Sequence, residues 1–181
     1  RHALTEASVF NGATKFHGEG APEETLFYRA NNEYFRCFAM NVAGGEFFNV
    51  AVSNAFQSGS TGNALQISDG VVSNCLFTNC KSASGGSAAV DLTRSTMRNC
   101  TITKCQCDYH YGTALYVQDG SLVEDCFITD NYGHGYNASC TVRVSGGRLS
   151  RTVIARNRME GHENAPRDTP GVILEGVSRM E

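Results

Sequence analysis

The sequence predicts an all-β fold, a right-handed parallel β-helix (a solenoid) with rungs of about 25 residues. Three observations predict it. Segments of one pattern recur along the 181-residue chain at a spacing of 25 to 27. Inside each segment apolar residues alternate with period two, the signature of half-buried strands. Charges of opposite sign fall at equivalent places in successive segments, where in-register parallel strands about 4.8 Å apart would pair them.

The register runs from AMNVAGGEFFNVAVSNA (39–55) through ALQISDGVVSNCLFTNC (64–80), AVDLTRSTMRNCTITKC (89–105) and ALYVQDGSLVEDCFITDN (114–131) to TVRVSGGRLSRTVIARN (141–157). The starts Ala39, Ala64, Ala89 and Ala114 are each 25 apart, and Thr141 follows 27 later. One extra residue is read as a bulge near Ser121 and Leu122, the other as part of a loop. In the first half of the repeat Leu65 and Ile67 flank Gln66, Val90 and Leu92 flank Asp91, Leu115 and Val117 flank Tyr116, and Val142 and Val144 flank Arg143. The second half alternates likewise, as in Cys75 and Phe77 or Cys100 and Ile102. TLFYRA (25–30) matches a closing half, Thr14–Phe16 reads as a weaker opening, ASVFNG (7–12) as the end of a still earlier repeat, and GVILEGVSRME (171–181) as the beginning of a new one. The count is about six complete rungs plus partial rungs at both ends, in a single domain over 1–181.

The charge columns separate a solenoid from an antiparallel meander. Asp69, Arg94 and Asp119 form one column; Lys104, Asp130 and Arg156 another; Asp91, Tyr116 and Arg143 a third; and Arg98 abuts Glu124 while Asp125 abuts Arg151. A meander would not set these residues side by side. The crossover preference makes the coil right-handed.

The N-C-x-F/I-T-x-C/N phrases and the A-L/V-x-I/L-x-D-G openings resemble the right-handed parallel β-helix repeats of the pectate-lyase-like superfamily, and are similar to long bacterial surface β-helix repeat proteins. That resemblance covers nearly the whole chain. It implies the fold and leaves the activity open, because one fold hosts many functions. In pectate-lyase-like enzymes the site lies on an outward strand face, with acidic residues, often binding calcium, and a basic proton abstractor. The matching outward column here reads Asn41, Gln66, Asp91, Tyr116, Arg143, so Asp91 and Arg143 are the only catalytic candidates the resemblance offers. They make neither the paired carboxylates of glycoside hydrolysis nor a calcium cage. No Ser-His-Asp set, G-x-S-x-G or phosphate loop accompanies them. The enzyme alternative, a polysaccharide lyase or glycoside hydrolase with calcium as cofactor, rests on that pair.

Composition excludes more than it selects. A charged fraction of 18% without like-charge blocks argues against wholesale disorder. No apolar run reaches the length of a membrane helix, so no membrane insertion is expected. A formal charge of −3 excludes a general nucleic-acid binder. The basic run Arg143, Arg148, Arg151, Arg156 and Arg158 faces Asp119, Glu124, Asp125 and Asp130 of the preceding rung, which compensate it. The N-terminus has no apolar signal core, so a targeting peptide is absent or already removed.

Cys75, Cys100 and Cys126 share one inward column; Cys80 and Cys105 share another, continued by Asn131 and Asn157. The C-x4-C spacing suits small buried fillers better than a metal site, since residues five apart in a strand lie about 17 Å apart. Cys37, Cys107 and Cys140 fall in or beside loops, where a disulfide is open. Asn49, Asn74 and Asn99 recur at turns, where Asn tolerates the left-handed region.

The rung-closing loops carry the chemistry-like cluster. QCDYHYGT, YGHGYNASC and RMEGHENAPRDTP bring Asp108, Tyr109, His110 and Tyr111 beside Tyr132, His134 and Tyr136, with His162, Glu163 and Asp168 one rung further. The Tyr rings suit a sugar face; His110, His134 and His162 are weak metal candidates; or the loops pack on the wall. Neither terminus shows a capping helix, so a piece of a longer chain, or self-association through open solenoid ends, is expected. The function class is an extracellular or cell-surface structural or adhesive rod, with a polysaccharide as the alternative partner.

Overall fold

The fold was read from a computed structural model, which describes residues 1–6, 8–10, 14–30, 37–40, 44–57, 63–83, 87–108, 113–135, 140–161, 169–176 and 179–180. One turn shows the plan: short strands at Leu65–Ser68, Val71–Ser73, Leu76–Thr78 and Lys81–Ser82 follow one another around the axis. Each pairs in parallel with its equivalents one turn before and after, giving three seven-stranded sheets and, from the fourth strands, a five-stranded one. Five consecutive turns, from Phe38–Met40 to Arg158–Gly161, have all four strands among the described residues. The turn before them shows three, Ser8–Phe10, Lys15–His17 and Leu26–Arg29. The expected count of six is therefore five with four described strands each.

Three tight corners per turn explain the sequence pattern. Each is one residue in the left-handed region followed by a small inward residue: Asp69 (φ 53°) then Gly70, Asn74 (φ 49°) then Cys75, Asn79 (φ 53°) then Cys80. At the corner the inward residue's backbone N–H lies off the strand ladder, and a side chain one turn on accepts it. Gly70 N–H donates to Ser95 Oγ (3.1 Å) and Ser95 N–H to Ser121 Oγ (3.0 Å). Cys75 N–H donates to Cys100 Sγ and Cys100 N–H to Cys126 Sγ, both at 3.4 Å. Cys105 N–H donates to Asn131 Oδ1 and Asn131 N–H to Asn157 Oδ1, both at 3.0 Å. Buried backbone donors left unmet are costly, so this column-by-column capping is what lets the chain turn inside a dry core. The C-x4-C spacing is the distance between successive corners of one turn.

Arg94, Lys104, Arg151 and Arg156 also occupy the left-handed region, at φ 44–56°. That conformation costs a residue with a long side chain about 1 kcal/mol. Three of these side chains reach back to the corner below: Arg94 to Asp69 (both bonds 2.7 Å), Arg151 to Asp125 (both 2.7 Å) and Arg156 to Asp130 (2.8 and 2.7 Å). Two of the alternating columns read from the sequence, Asp69–Arg94–Asp119 and Lys104–Asp130–Arg156, are thus stacked corners, while Asp91–Tyr116–Arg143 lies along strands.

The core is a set of inward columns, such as Phe47–Val72–Met97–Val123–Leu149 and Val52–Phe77–Ile102–Ile128, all buried. Its N-terminal end is aromatic, with Phe38 edge-on to Phe16, Phe27 and Phe47 at centroid distances of 5.2–5.5 Å.

Register differs from expectation at the N-terminal side. Ala39 pairs with Gln66, two residues off the 25-residue spacing, because Met40 and Glu46 are two residues further apart in sequence than their partners Ile67 and Val71. A two-residue slip keeps Phe38 inward, so the alternation could not reveal it. Ser8–Phe10 stacks on Phe38–Met40 as an opening strand rather than the end of a repeat, and Lys15–His17 stacks on Glu46–Phe48 as a second strand rather than an opening. The extra residue expected as a bulge at Ser121 and Leu122 is Gly120 (φ 81°), inside the corner, while Ser121 keeps its capping place. Among the described residues no helix is long and apolar enough to cross a membrane.

Candidate functional site

The outward column of the opening strands is Gln66–Asp91–Tyr116–Arg143, preceded by Ala39 where Asn41 was expected and followed by Ile173. Asn41 itself lies outside the described residues. Strand alternation points these side chains away from the core, yet Asp91 is only 2% exposed. Gln118, on the neighbouring strand, donates from Nε2 to Asp91 Oδ1 (2.6 Å). Arg143 sits over the Tyr116 ring, 5.3 Å from its centroid, and makes two 2.9 Å bonds to the Glu175 carboxylate one turn on. Tyr116 separates Asp91 from Arg143, as the sequence indicated. Each candidate is engaged by a different neighbour, and the arrangement holds a carboxylate and a guanidinium in place rather than aiming both at one point.

The fourth-strand wall carries the outward column Phe56–Lys81–Gln106–Tyr132–Arg158. Tyr132 donates its hydroxyl to Glu160 Oε2 (2.7 Å), and Glu160 also pairs with Arg158. Backbone register stacks Asp108 under His134 and His134 under Glu160. Tyr109, His110, Tyr111, Tyr136 and His162 lie outside the described residues, as do the side chains of Asp108 and His134. Glu163 and Asp168 lie outside them too. Of the sugar-facing and metal candidates, Tyr132 alone has its side chain placed. Among the described residues no group of three His, Cys, Asp or Glu is set to hold a metal ion.

Seven cysteines, Cys37, Cys75, Cys80, Cys100, Cys105, Cys107 and Cys126, are buried free thiols. Cys37 and Cys107, expected in or beside loops, are 0% and 1% exposed. Burial pushes the Cys37, Cys100 and Cys105 thiols up, away from the reactive thiolate. Cys140 opens the strand Cys140–Ser145, and its side chain lies outside the described residues.

Sequence reasoning missed the partners. Gln118 and Glu175 take no part in the columns that flagged Asp91 and Arg143, because each lies two residues along the strand from its contact. It also missed a cleft of about 310 Å³ on the second-strand face, lined by His17, Glu46, Phe47, Phe48, Val71 and Ser73. There Lys15 Nζ donates to Glu46 Oε1 (2.7 Å) and His17 Nε2 bonds Oε2 (3.0 Å), which hold the Glu46 carboxyl below its usual range.

Four parallel strands per turn, stacked in register with left-handed corners, are matched over residues 36–176 by the family described as the right-handed β-helix region. The chain belongs to the right-handed β-helix family. No curated protein and no solved structure matches it. Family membership accounts for the coil and its hand.

Proposed function

We propose that this β-helix is a structural segment, a stiff rod displayed outside the cell that spaces or attaches what it joins. The observation that carries the reading is the fate of its outward charges. Arg94 with Asp69, Arg98 with Glu124, Arg143 with Glu175, Arg151 with Asp125 and Arg156 with Asp130 each tie one turn to an adjacent one. A hydrolytic or lyase site needs an acid and a base converging on substrate, with one group left to move a proton; Asp91 and Arg143 are instead tied to separate neighbours.

Single-molecule pulling along the coil axis tests the role. A structural segment resists force and yields in steps of about one turn's worth of chain. The competing activity is tested by assaying acidic and neutral polysaccharides for unsaturated or reducing sugar products, with and without calcium. No turnover is expected, and turnover that disappears in Asp91→Asn would overturn the reading. Display outside the cell is part of the same proposal. Labelling of intact against lysed cells with a membrane-impermeant reagent checks it.

A further inference from the structure

Among the described residues the third-strand sheet alone presents six consecutive strands with no charge in its outward columns. From Leu26–Arg29 to Val153–Ala155 the first outward column reads Leu26–Ala51–Leu76–Thr101–Phe127–Val153. The second reads Tyr28–Ser53–Thr78–Thr103–Thr129–Ala155. Charges are confined to the flanking corners, where Arg29 stands level with Asn54. Relief varies along the face. Phe127 is 53% exposed and Val153 45%, while Ala51 and Ser53 are buried. Phe127 is therefore a knob, and three strands away the small Ala51 and Ser53 leave a dip between larger neighbours. An apolar strip of this kind gains by being covered.

We infer that this face docks on the same face of a second copy, about a two-fold axis that runs along the strands between Leu76–Thr78 and Thr101–Thr103. That operation keeps strand direction and reverses turn order, so each column meets itself end for end. Phe127 of one copy then faces Ala51 of the other, Leu26 faces Val153, and Leu76 faces Thr101. In the second column Tyr28 faces Ala155, Ser53 faces Thr129, and Thr78 faces Thr103. Each large side chain meets a smaller one, as two sheets about 10 Å apart require if their side chains are to interdigitate. The other in-plane two-fold, along the coil axis, sets Leu26 on Tyr28 and leaves Ala51 over Ser53, a clash beside a void. Rim charges fit the first arrangement too. Glu24, level with Asn49 by register, comes opposite Arg151, and Asn74 opposite Asn99. On the far rim Arg156 comes over Arg29, the least favourable meeting of the set, beside the Asp130 carboxylate that already binds Arg156. Six strands, each about five residues from corner to corner, give a footprint of about 29 by 16 Å, roughly 460 Å² in plan. A stable dimer buries about 800 Å² per partner, so the pair is weak and reversible. It does not depend on the proposed structural role.

Sedimentation equilibrium of the full chain from about 10 µM to about 1 mM tests it. A monomer–dimer equilibrium is expected inside that range. Phe127→Ala, which removes an exposed side chain and leaves the core intact, should weaken it about tenfold or more. Val71→Ala, at a residue 42% exposed on the second-strand sheet, should leave it unchanged. Disulfide trapping in a Cys140→Ser background reads the register. Tyr28→Cys mixed with Ala155→Cys should cross-link. Neither variant alone should, because its two copies lie five strand spacings, about 24 Å, apart across the axis. Melting curves confirm that the variants stay folded. Monomer at every concentration, a dimer indifferent to Phe127→Ala, an equal loss in Val71→Ala, or cross-linking of a single variant instead of the mixture would each overturn the pairing.

Discussion

Asn131 satisfies several backbone groups at once. Its Oδ1 accepts from Cys105 N–H, its Nδ2 donates to Ile102 O (3.1 Å), and its own N–H donates to Asn157 Oδ1. Asn131→Leu removes the acceptor of the buried Cys105 N–H and a donor to the Ile102 carbonyl, and is expected to cost about 3 kcal/mol. Asn131→Cys, which places there the side chain its column uses at Cys80 and Cys105, should cost about 1 kcal/mol. Equilibrium denaturation in urea reads both, and equal losses would remove the capping account. The exposed carboxylates predict the acid limit. Asp69, Asp125 and Asp130 are held below the usual carboxylate range by hydrogen bonds from Arg94, Arg151 and Arg156. A carboxyl with a lowered folded pKa contributes stability above its unfolded value, near 3.9, and loses that contribution as pH falls through the folded one. The denaturation midpoint should therefore hold level from neutral pH to about 5 and fall below about 4. Asp125→Asn with Asp130→Asn should flatten that fall.

Corners and columns are the elements that matter here, and they were largely legible. The period-two alternation and the recurring Asn-Cys and Asp-Gly pairs placed the strands and corners of the repeat segments between Leu65 and Ile154, because each corner demands a left-handed residue and a small inward one; the fourth strands, Lys81–Ser82, Gln106–Asp108 and Tyr132–Gly135, fall in stretches read as loops. Legibility failed where those signals thin out. A two-residue slip at Ala39 preserves inward and outward faces, and Ser8–Phe10 has no Asn-Cys corner to mark its place in the turn. Inside the columns, Phe77 packs between Val52 and Ile102. Phe77→Ala is expected to cost 3–5 kcal/mol in the same denaturation measurement, since neighbouring turns cannot collapse into the void. The seven buried thiols should resist alkylation in the native protein at mildly alkaline pH and react together once it is denatured, as intact mass would show. Fast modification of Cys100 or Cys105 in the folded chain would contradict their burial.

At the scale of the molecule, the site was less legible than the coil. The outward column named Asp91 and Arg143, but their partners Gln118 and Glu175 sit on a second outward column of the same sheet, and diagonal contacts leave no mark in an aligned repeat. Stacking of each turn on the one below is the premise of every neighbour relation above. Distances by electron spin resonance between paired labels test it most directly, with Cys140 replaced by Ser and the seven other native thiols too buried to take label. Lys15→Cys is paired in turn with Thr96→Cys, Leu122→Cys and Arg148→Cys, three, four and five turns along one column. Backbone separations of about 14, 19 and 24 Å, rising by one strand spacing per turn, are predicted. Distances that fail to grow in turn order would contradict the stacked coil.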